Sequence, residues 1–371
     1  MKSLYLGKIF GIKAELHWSF VILSLFVIGL FAFTQPANLL PVAMAFFFLF
    51  LSVFLHELAH SVVSLWRGIK VKKIVLLPIG GVSLTDSLPE KPLDEFLIAI
   101  AGPAFNFTVV LSIILLVSFA PMPFETELLK DIPSLLYSSE SLITALLSIP
   151  LFTILWWNFI LGSFNLLIPA LPLDGGRVLR SLLAFPLGRV KATRIATKIS
   201  RFIAILMFLV GFLLINFVLM IIALFVFFGS REEEKIVLMK AALEDKKIQK
   251  MIEKTIKFSG SVKLAEAVSE MVRKRKSFAV VELKKGKYGV LSIDELPERL
   301  GKNQKPLNEI LHEISPLQFT ADAGKAMEKI LTTGEKAIPV TNGKTLVGII
   351  TARELQRAVI IARAEKALKA K

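Results

Sequence analysis

Apolar residues gather into long blocks over the first 229 positions and are then dispersed among charged ones. Six blocks read as membrane spans: about 15–34, 39–66, 94–120, 143–168, 195–213 and 215–229. The last two are cut from one unbroken apolar run, 202–228, too long for a single crossing and short for two; Gly211 and Asn216 mark the place for a hairpin turn. Between the second and third blocks, residues 74–84 are apolar, broken by Pro78, Gly80 and Gly81, and too short to cross. That stretch predicts a hairpin or re-entrant strand. From Arg231-Glu232-Glu233-Glu234-Lys235 onward the pattern predicts a charged helical linker over 230–253. Beyond it a unit recurs at an offset of 59: Ala279-Val280-Val281 matches Ile338-Pro339-Val340, and the segment from Tyr288 to Leu296 matches that from Val347 to Leu355. Each copy, about 254–303 and 308–371, carries a helix, two short β-runs and a closing helix, and repeated units of this size pack as a pair. The expected fold is a polytopic α-helical membrane protein of six spans (1–229), a linker (230–253) and a C-terminal α+β soluble domain (254–371).

A hydrophobic content of 54% and a mean hydropathy of +0.66 exclude an ordinary soluble protein of 371 residues. No cysteine is present, so disulfides are excluded and any metal must take nitrogen and oxygen ligands. The net charge of +15 is placed mostly beside the spans: Lys2, Lys8 and Lys13; Arg67, Lys70, Lys72, Lys73 and Lys91; and seven Arg or Lys from Arg177 to Arg201. The 35–38 loop has no Lys or Arg, and the 121–142 loop has only Lys130 against Glu125, Glu127, Asp131 and Glu140. Basic loops stay on the cytoplasmic side, so six spans put both termini in the cytoplasm of a multi-pass cell-membrane protein. That accounts for the charge without nucleic acid. The first apolar run has no small-residue cleavage site, so no removable signal peptide is expected.

Inside the second block lies His56-Glu57-Leu58-Ala59-His60. On a helix, residues four apart share a face, so the two imidazoles take adjacent corners of a tetrahedral zinc site. Glu57 then stands beside the open corner as general base for a metal-activated water. His56 is eleven residues before Arg67, roughly 16 Å into the apolar layer at about 1.5 Å per residue. A carboxylate there costs roughly 2.5–3.5 kcal/mol, which structural histidines with a snorkelling glutamate do not explain. The best third ligand is Asp174, in Pro169-Ala170-Leu171-Pro172-Leu173-Asp174-Gly175-Gly176-Arg177. The prolines end the fourth span, and non-helical backbone at membrane depth is tolerated only where it lines a cavity. The alternative is a polar turn just below the membrane.

These two motifs and Ala101-Gly102-Pro103-Ala104-Phe105-Asn106, in this order, resemble the site-2 protease family of intramembrane zinc metalloproteases. The similarity is greatest to its archaeal and bacterial branch with a C-terminal pair of CBS domains. The resemblance implies one zinc held by His56, His60 and Asp174, Glu57 as catalytic base, and a membrane-anchored protein whose transmembrane segment is cut. Gly80 and Gly81 lie in the 74–84 stretch, which reads either as an open edge that pairs with unwound substrate or as a membrane-dipping loop. Asn165 stands one residue further from Pro169 than the family pattern places its substrate-cleft Asn, with Asn158 a weaker candidate. Gly102, Pro103 and Asn106 read as helix packing. The repeat resembles a CBS pair, a module that binds adenine nucleotides or dimerises. Ser292 and Thr351 stand at its usual ribose-binding positions, with Glu295 and Glu354 where Asp is common. The reading is therefore a zinc endopeptidase in the lipid bilayer, regulated or dimerised through cytoplasmic CBS domains. Its rivals are a CBS-gated transporter or channel using intramembrane charges, and a silent membrane-binding scaffold.

Overall fold

The computed structural model describes residues 3–34, 39–78, 80–85, 89–119, 150–244, 246–296, 304–343 and 345–369. The expected 35–38 and 121–142 loops, the start of the fourth block at 143–149 and the stretch 297–303 lie outside them. The chain divides into two compact units, 1–234 and 235–371.

The first unit opens with β1 (Ser3–Ile9) and β2 (Ile12–His17), an antiparallel hairpin turning at Phe10 and Gly11, both at positive φ. Strand β2 pairs in parallel with β3 (Val71–Leu77), which pairs antiparallel with β4 (Gly80–Thr85), giving the order β1-β2-β3-β4. The hairpin expected at 74–84 is thus half of a four-stranded sheet. One correction follows for the first block, expected to begin at residue 15: residues 15–17 are strand, and helix α1 runs Trp18–Thr34. Period-two alternation decides it, with Ile12 and Ala14 buried and Lys13 exposed. The sheet's inner face, Ile12, Val71, Ile74 and Leu76, packs on Val53 of α2 (Leu39–Trp66).

Among the described residues five more helices belong to the unit: α3 (Pro92–Phe119), α4 (Pro150–Leu167), α5 (Asp174–Leu187), α6 (Arg189–Leu213) and α7 (Phe217–Ala242), the last extending past residue 234. Among the described residues α2, α3, α4 and α6 are long and apolar enough to cross a membrane, while α1 is apolar but only 17 residues long. Large apolar side chains such as Phe33, Phe47, Leu111 and Phe202 face outward, as a lipid solvent requires. The run 202–228 breaks at Leu214–Asn216. There Ile215 takes φ 53° and Asn216 Oδ1 caps the next helix by accepting the Leu219 N–H at 3.0 Å.

The second unit holds two three-stranded sheets of matching topology. In the first, β5 (Ile256–Ser259) runs parallel to β6 (Phe278–Lys284), which is antiparallel to β7 (Lys287–Ser292). In the second, β8 (Leu317–Gln318), β9 (Ala337–Asn342) and β10 (Thr345–Thr351) repeat that order. Amphipathic helices α8 (Leu264–Arg273) and α10 (Ala323–Thr333), with the single turn α9 (Leu307–Ile310) between them, cover the sheets; α11 (Ala352–Lys369) closes the unit. Val280, Tyr288, Ala337 and Ile349 pack the two copies together. Of the stretch expected as a charged helical linker, 230–253, residues 235–253 belong to this unit, with Met239, Leu243 and Ile248 buried in the second copy's core beside Met327, Ile338 and Ile350.

Candidate metal centre

Helix α2 presents His56 and His60 on one face, and both imidazoles are buried. Asp174 reaches them from the first residue of α5. Its Oδ2 lies 3.1 Å from His56 Nε2 and 3.2 Å from His60 Nε2, and the two Nε2 atoms are 3.1 Å apart. The carboxylate is held there by its own approach segment. Ala170 and Leu171 are fully buried, and the Leu171 N–H donates to Ser200 Oγ at 2.8 Å. The Leu171–Pro172 peptide is cis. A Cβ at Gly175 would strike the Leu166 and Ile168 carbonyls, and one at Gly176 the backbone of Ala170 and Leu171. Only glycine lets α5 begin so close to the chain that precedes it. One and a half turns along α5, buried Arg180 bonds Glu95 of α3 and Glu233 of α7, with Nε to Glu95 Oε1 at 2.7 Å.

Helix α3 backs both rings. His60 Nδ1 lies 2.6 Å from the Ile98 carbonyl, and His56 Nδ1 bonds Asn106 Oδ1. Between them Gly102 leaves the space in which a Cβ would overlap both Nε2 atoms. Residues 98, 102 and 106 are spaced by four, on one face. Behind Asn106, its Nδ2 donates to Asn158 Oδ1 at 2.7 Å; Asn158 Nδ2 donates to Ser52 Oγ at 2.9 Å and to the Ile154 carbonyl at 2.8 Å.

Glu57 points to the sheet. Ser83 Oγ of β4 donates to Glu57 Oε2 at 2.9 Å and lies 3.1 Å from Ser61 Oγ, while Gly81 passes so close that a Cβ would overlap the Glu57 side chain. A cavity of about 690 Å³ opens on this group. It is lined by His56, Glu57, His60 and Asp174, by Gly80 to Ser83 of edge strand β4, by Trp157 and Asn165 of α4 and by Phe225 of α7.

The structure thus brings together His56, Glu57, His60, Asp174, Gly80, Gly81 and Asn165. Ser292 and Thr351 stand apart, at the matching ends of β7 and β10 in the second unit. Ser292 Oγ is buried with no partner among the described residues, whereas Thr351 Oγ1 donates to Glu253 at 3.3 Å and accepts the Glu354 N–H at 3.2 Å. Asn106 and Ser83 were not expected at the centre, and Asn158, the weaker candidate for the substrate cleft, lies behind Asn106 instead. The available signal was two asparagines inside apolar helices, where a polar side chain demands a partner.

The donor set fits a zinc ion. Ligand atoms of His56, His60 and Asp174 all lie within 4.8 Å of one another. The Ile98 carbonyl can only accept, so His60 carries its proton on Nδ1 and keeps the Nε2 lone pair for a metal. Two imidazoles and one carboxylate would leave a tetrahedral zinc one position without a protein ligand, as catalytic zinc requires.

The chain matches Peptidase family M50 over residues 44–211 and the CBS domain over residues 313–361. It is 32% identical to a zinc metalloprotease of Methanocaldococcus jannaschii over 368 residues, 99% of either chain. It is 28% identical to stage IV sporulation protein FB of Bacillus subtilis over 153 residues, 41% of this chain and 44% of that protein. A solved site-2 protease from Methanocaldococcus jannaschii superposes with a TM-score of 0.45 and 38% identity, over 63% of this chain and 95% of that one.

Proposed function

The chain belongs to peptidase family M50, the site-2 protease family of zinc metalloproteases, and from that premise we propose that it cuts the transmembrane segments of membrane-anchored proteins at the centre built by α2 and α5. The chain is a membrane zinc metalloprotease with a CBS domain, and nothing found favours the transporter or channel reading. The observation that carries the proposal is the meeting of two Nε2 atoms and one carboxylate oxygen within 3.2 Å of one another, beside a carboxylate that is not one of them.

In this reading His56, His60 and Asp174 hold one zinc per chain. Bound there, zinc polarises the scissile carbonyl and acidifies water. Glu57, held by Ser83, takes the proton of the attacking water and delivers it to the leaving amine. A helix hides its peptide bonds, so the substrate must unwind. Edge strand β4 offers Gly80 and Gly81 for pairing with the extended segment, and Asn165 offers an amide to it from α4. Six spans with both termini cytoplasmic place the second unit on the side from which water enters. There it regulates access, binds adenine nucleotide near Ser292 and Thr351, or pairs two copies of the chain.

The test is Glu57→Gln. Removing the base while sparing the ligands should leave zinc stoichiometric and reduce cleavage of a membrane-embedded substrate by about 10²–10⁴-fold. Asp174→Ala and His56→Ala should both lose zinc. Full cleavage by the Glu57 variant sinks the assignment of the base, and stoichiometric zinc in the Asp174 variant removes that ligand.

A further inference from the structure

The amides behind His56 form a chain with a fixed direction, and we propose that Asn106 and Asn158 are positioning residues that fix His56 as a metal ligand through a neutral acceptor. The proposal rests on the reading of His56, His60 and Asp174 as zinc ligands.

The direction is set from the far end. The Ile154 carbonyl can only accept, so the group of Asn158 that faces it is the NH2. The Asn158 carbonyl oxygen therefore faces Asn106, which must offer its own NH2 in return. That leaves the Asn106 carbonyl oxygen toward His56, so the ring proton sits on Nδ1 and the lone pair on Nε2 is aimed at Asp174 Oδ2 and His60 Nε2. Ser52 closes the chain: it accepts from Asn158 and passes its own proton to the Phe48 carbonyl at 2.8 Å. Asn106, Asn158 and Ser52 are 0%, 2% and 4% exposed, so water does not compete for these groups. Three helices, α2, α3 and α4, are tied to one tautomer.

The acceptor is also chosen for charge. Zinc-bound histidines often lean on a carboxylate, which raises ligand basicity. Here His56 leans on an amide and His60 on the Ile98 backbone carbonyl, both neutral. A further carboxylate in an apolar layer that already holds Asp174 and Glu57 is avoided, and Asp174 remains the one anionic ligand.

Zinc affinity of the detergent-purified full chain, measured by chelator competition, tests the inference. Asn106→Leu keeps the volume, deletes the acceptor and should weaken zinc binding by about 10–100-fold, the usual loss for an outer partner. Asn158→Leu should weaken it less, and the double variant should be no worse than Asn106→Leu, because Asn158 acts only through Asn106. Asn106→Asp returns an acceptor to His56 but turns a second acceptor on the Asn158 carbonyl oxygen, so it should recover part of the affinity, which repacking alone would not do. If Asn106→Leu fails to fold, Asn158→Leu alone decides. Wild-type affinity in a folded Asn106→Leu or Asn158→Leu variant, with zinc lost in His56→Ala, overturns the positioning role and leaves the ligands standing. Zinc retained in His56→Ala overturns the reading beneath it.

Discussion

A methyl group added at Gly102 would overlap Nε2 of both histidines, whereas one added at Gly81 would overlap Glu57 instead. The two glycines therefore separate the two jobs of the centre. Gly102→Ala should lose zinc although every ligand is intact, because the imidazoles can no longer meet Asp174. Gly81→Ala should keep zinc and lose cleavage, because only the base is displaced. Metal content and cleavage measured on both variants check this, and equal behaviour of the two would refute the separation. At this scale legibility followed distance along the chain. His56, Glu57 and His60 announce themselves because one helical turn sets their geometry. Asp174, 118 residues from His56, needed its proline and glycine surroundings and a family resemblance to be picked out. Asn106 read as packing and Asn158 as a weaker cleft candidate, because their meaning lies in partners 50 and 52 residues away, on other helices.

Arg180 is the pin among the elements around the site. Its guanidinium joins α5, which carries Asp174, to Glu95 of α3 and Glu233 of α7, and it is only 4% exposed. Arg180→Ala would strand Glu95, itself 2% exposed, and should destabilise the fold by about 3–5 kcal/mol, the usual cost of breaking a buried ion pair from one side. Thermal unfolding in detergent measures it, and an unchanged midpoint would mean the pair is not buried in solution. The same cluster predicts acid sensitivity. Burial alone would raise the Glu233 carboxyl, but Arg180 and Arg177 beside it hold it below the ordinary carboxylate range. A lowered folded value means the stabilisation is present above the ordinary range and is lost as pH falls through the folded value. Helices were legible here because apolar length is a strong signal. Strand β1 was not, because Leu4, Tyr5 and Leu6 are all exposed and β2 is completed only by β3, far along the chain.

Across the whole molecule, the boundary between units falls later than charge and hydropathy suggest. The apolar run stops near residue 229, yet Glu233 bonds Arg180 and Glu234 bonds Arg201 at 2.8 Å, both inside the first unit. A chain ending after Glu234 should therefore keep zinc and basal cleavage, whereas one ending after Gly229 should unfold more readily. Regulation by the second unit predicts a changed rate or substrate choice in the longer truncation, with any adenine-nucleotide effect confined to the full chain. Equal rates with and without nucleotide in both would leave dimerisation as the second unit's role. The parallel pairing of β2 with β3, Lys13 opposite Lys73 through Leu16 opposite Leu76, reaches further still. Both strands are fixed in one sheet, so the chain between them must end where it began. Any plane lying clear of that sheet is then crossed an even number of times between His17 and Val71. If α2 traverses such a plane once, the stretch before it traverses the plane in the opposite sense, however short α1 measures on a hydropathy scale. The sheet acts as a clasp whose closure counts the crossings by parity.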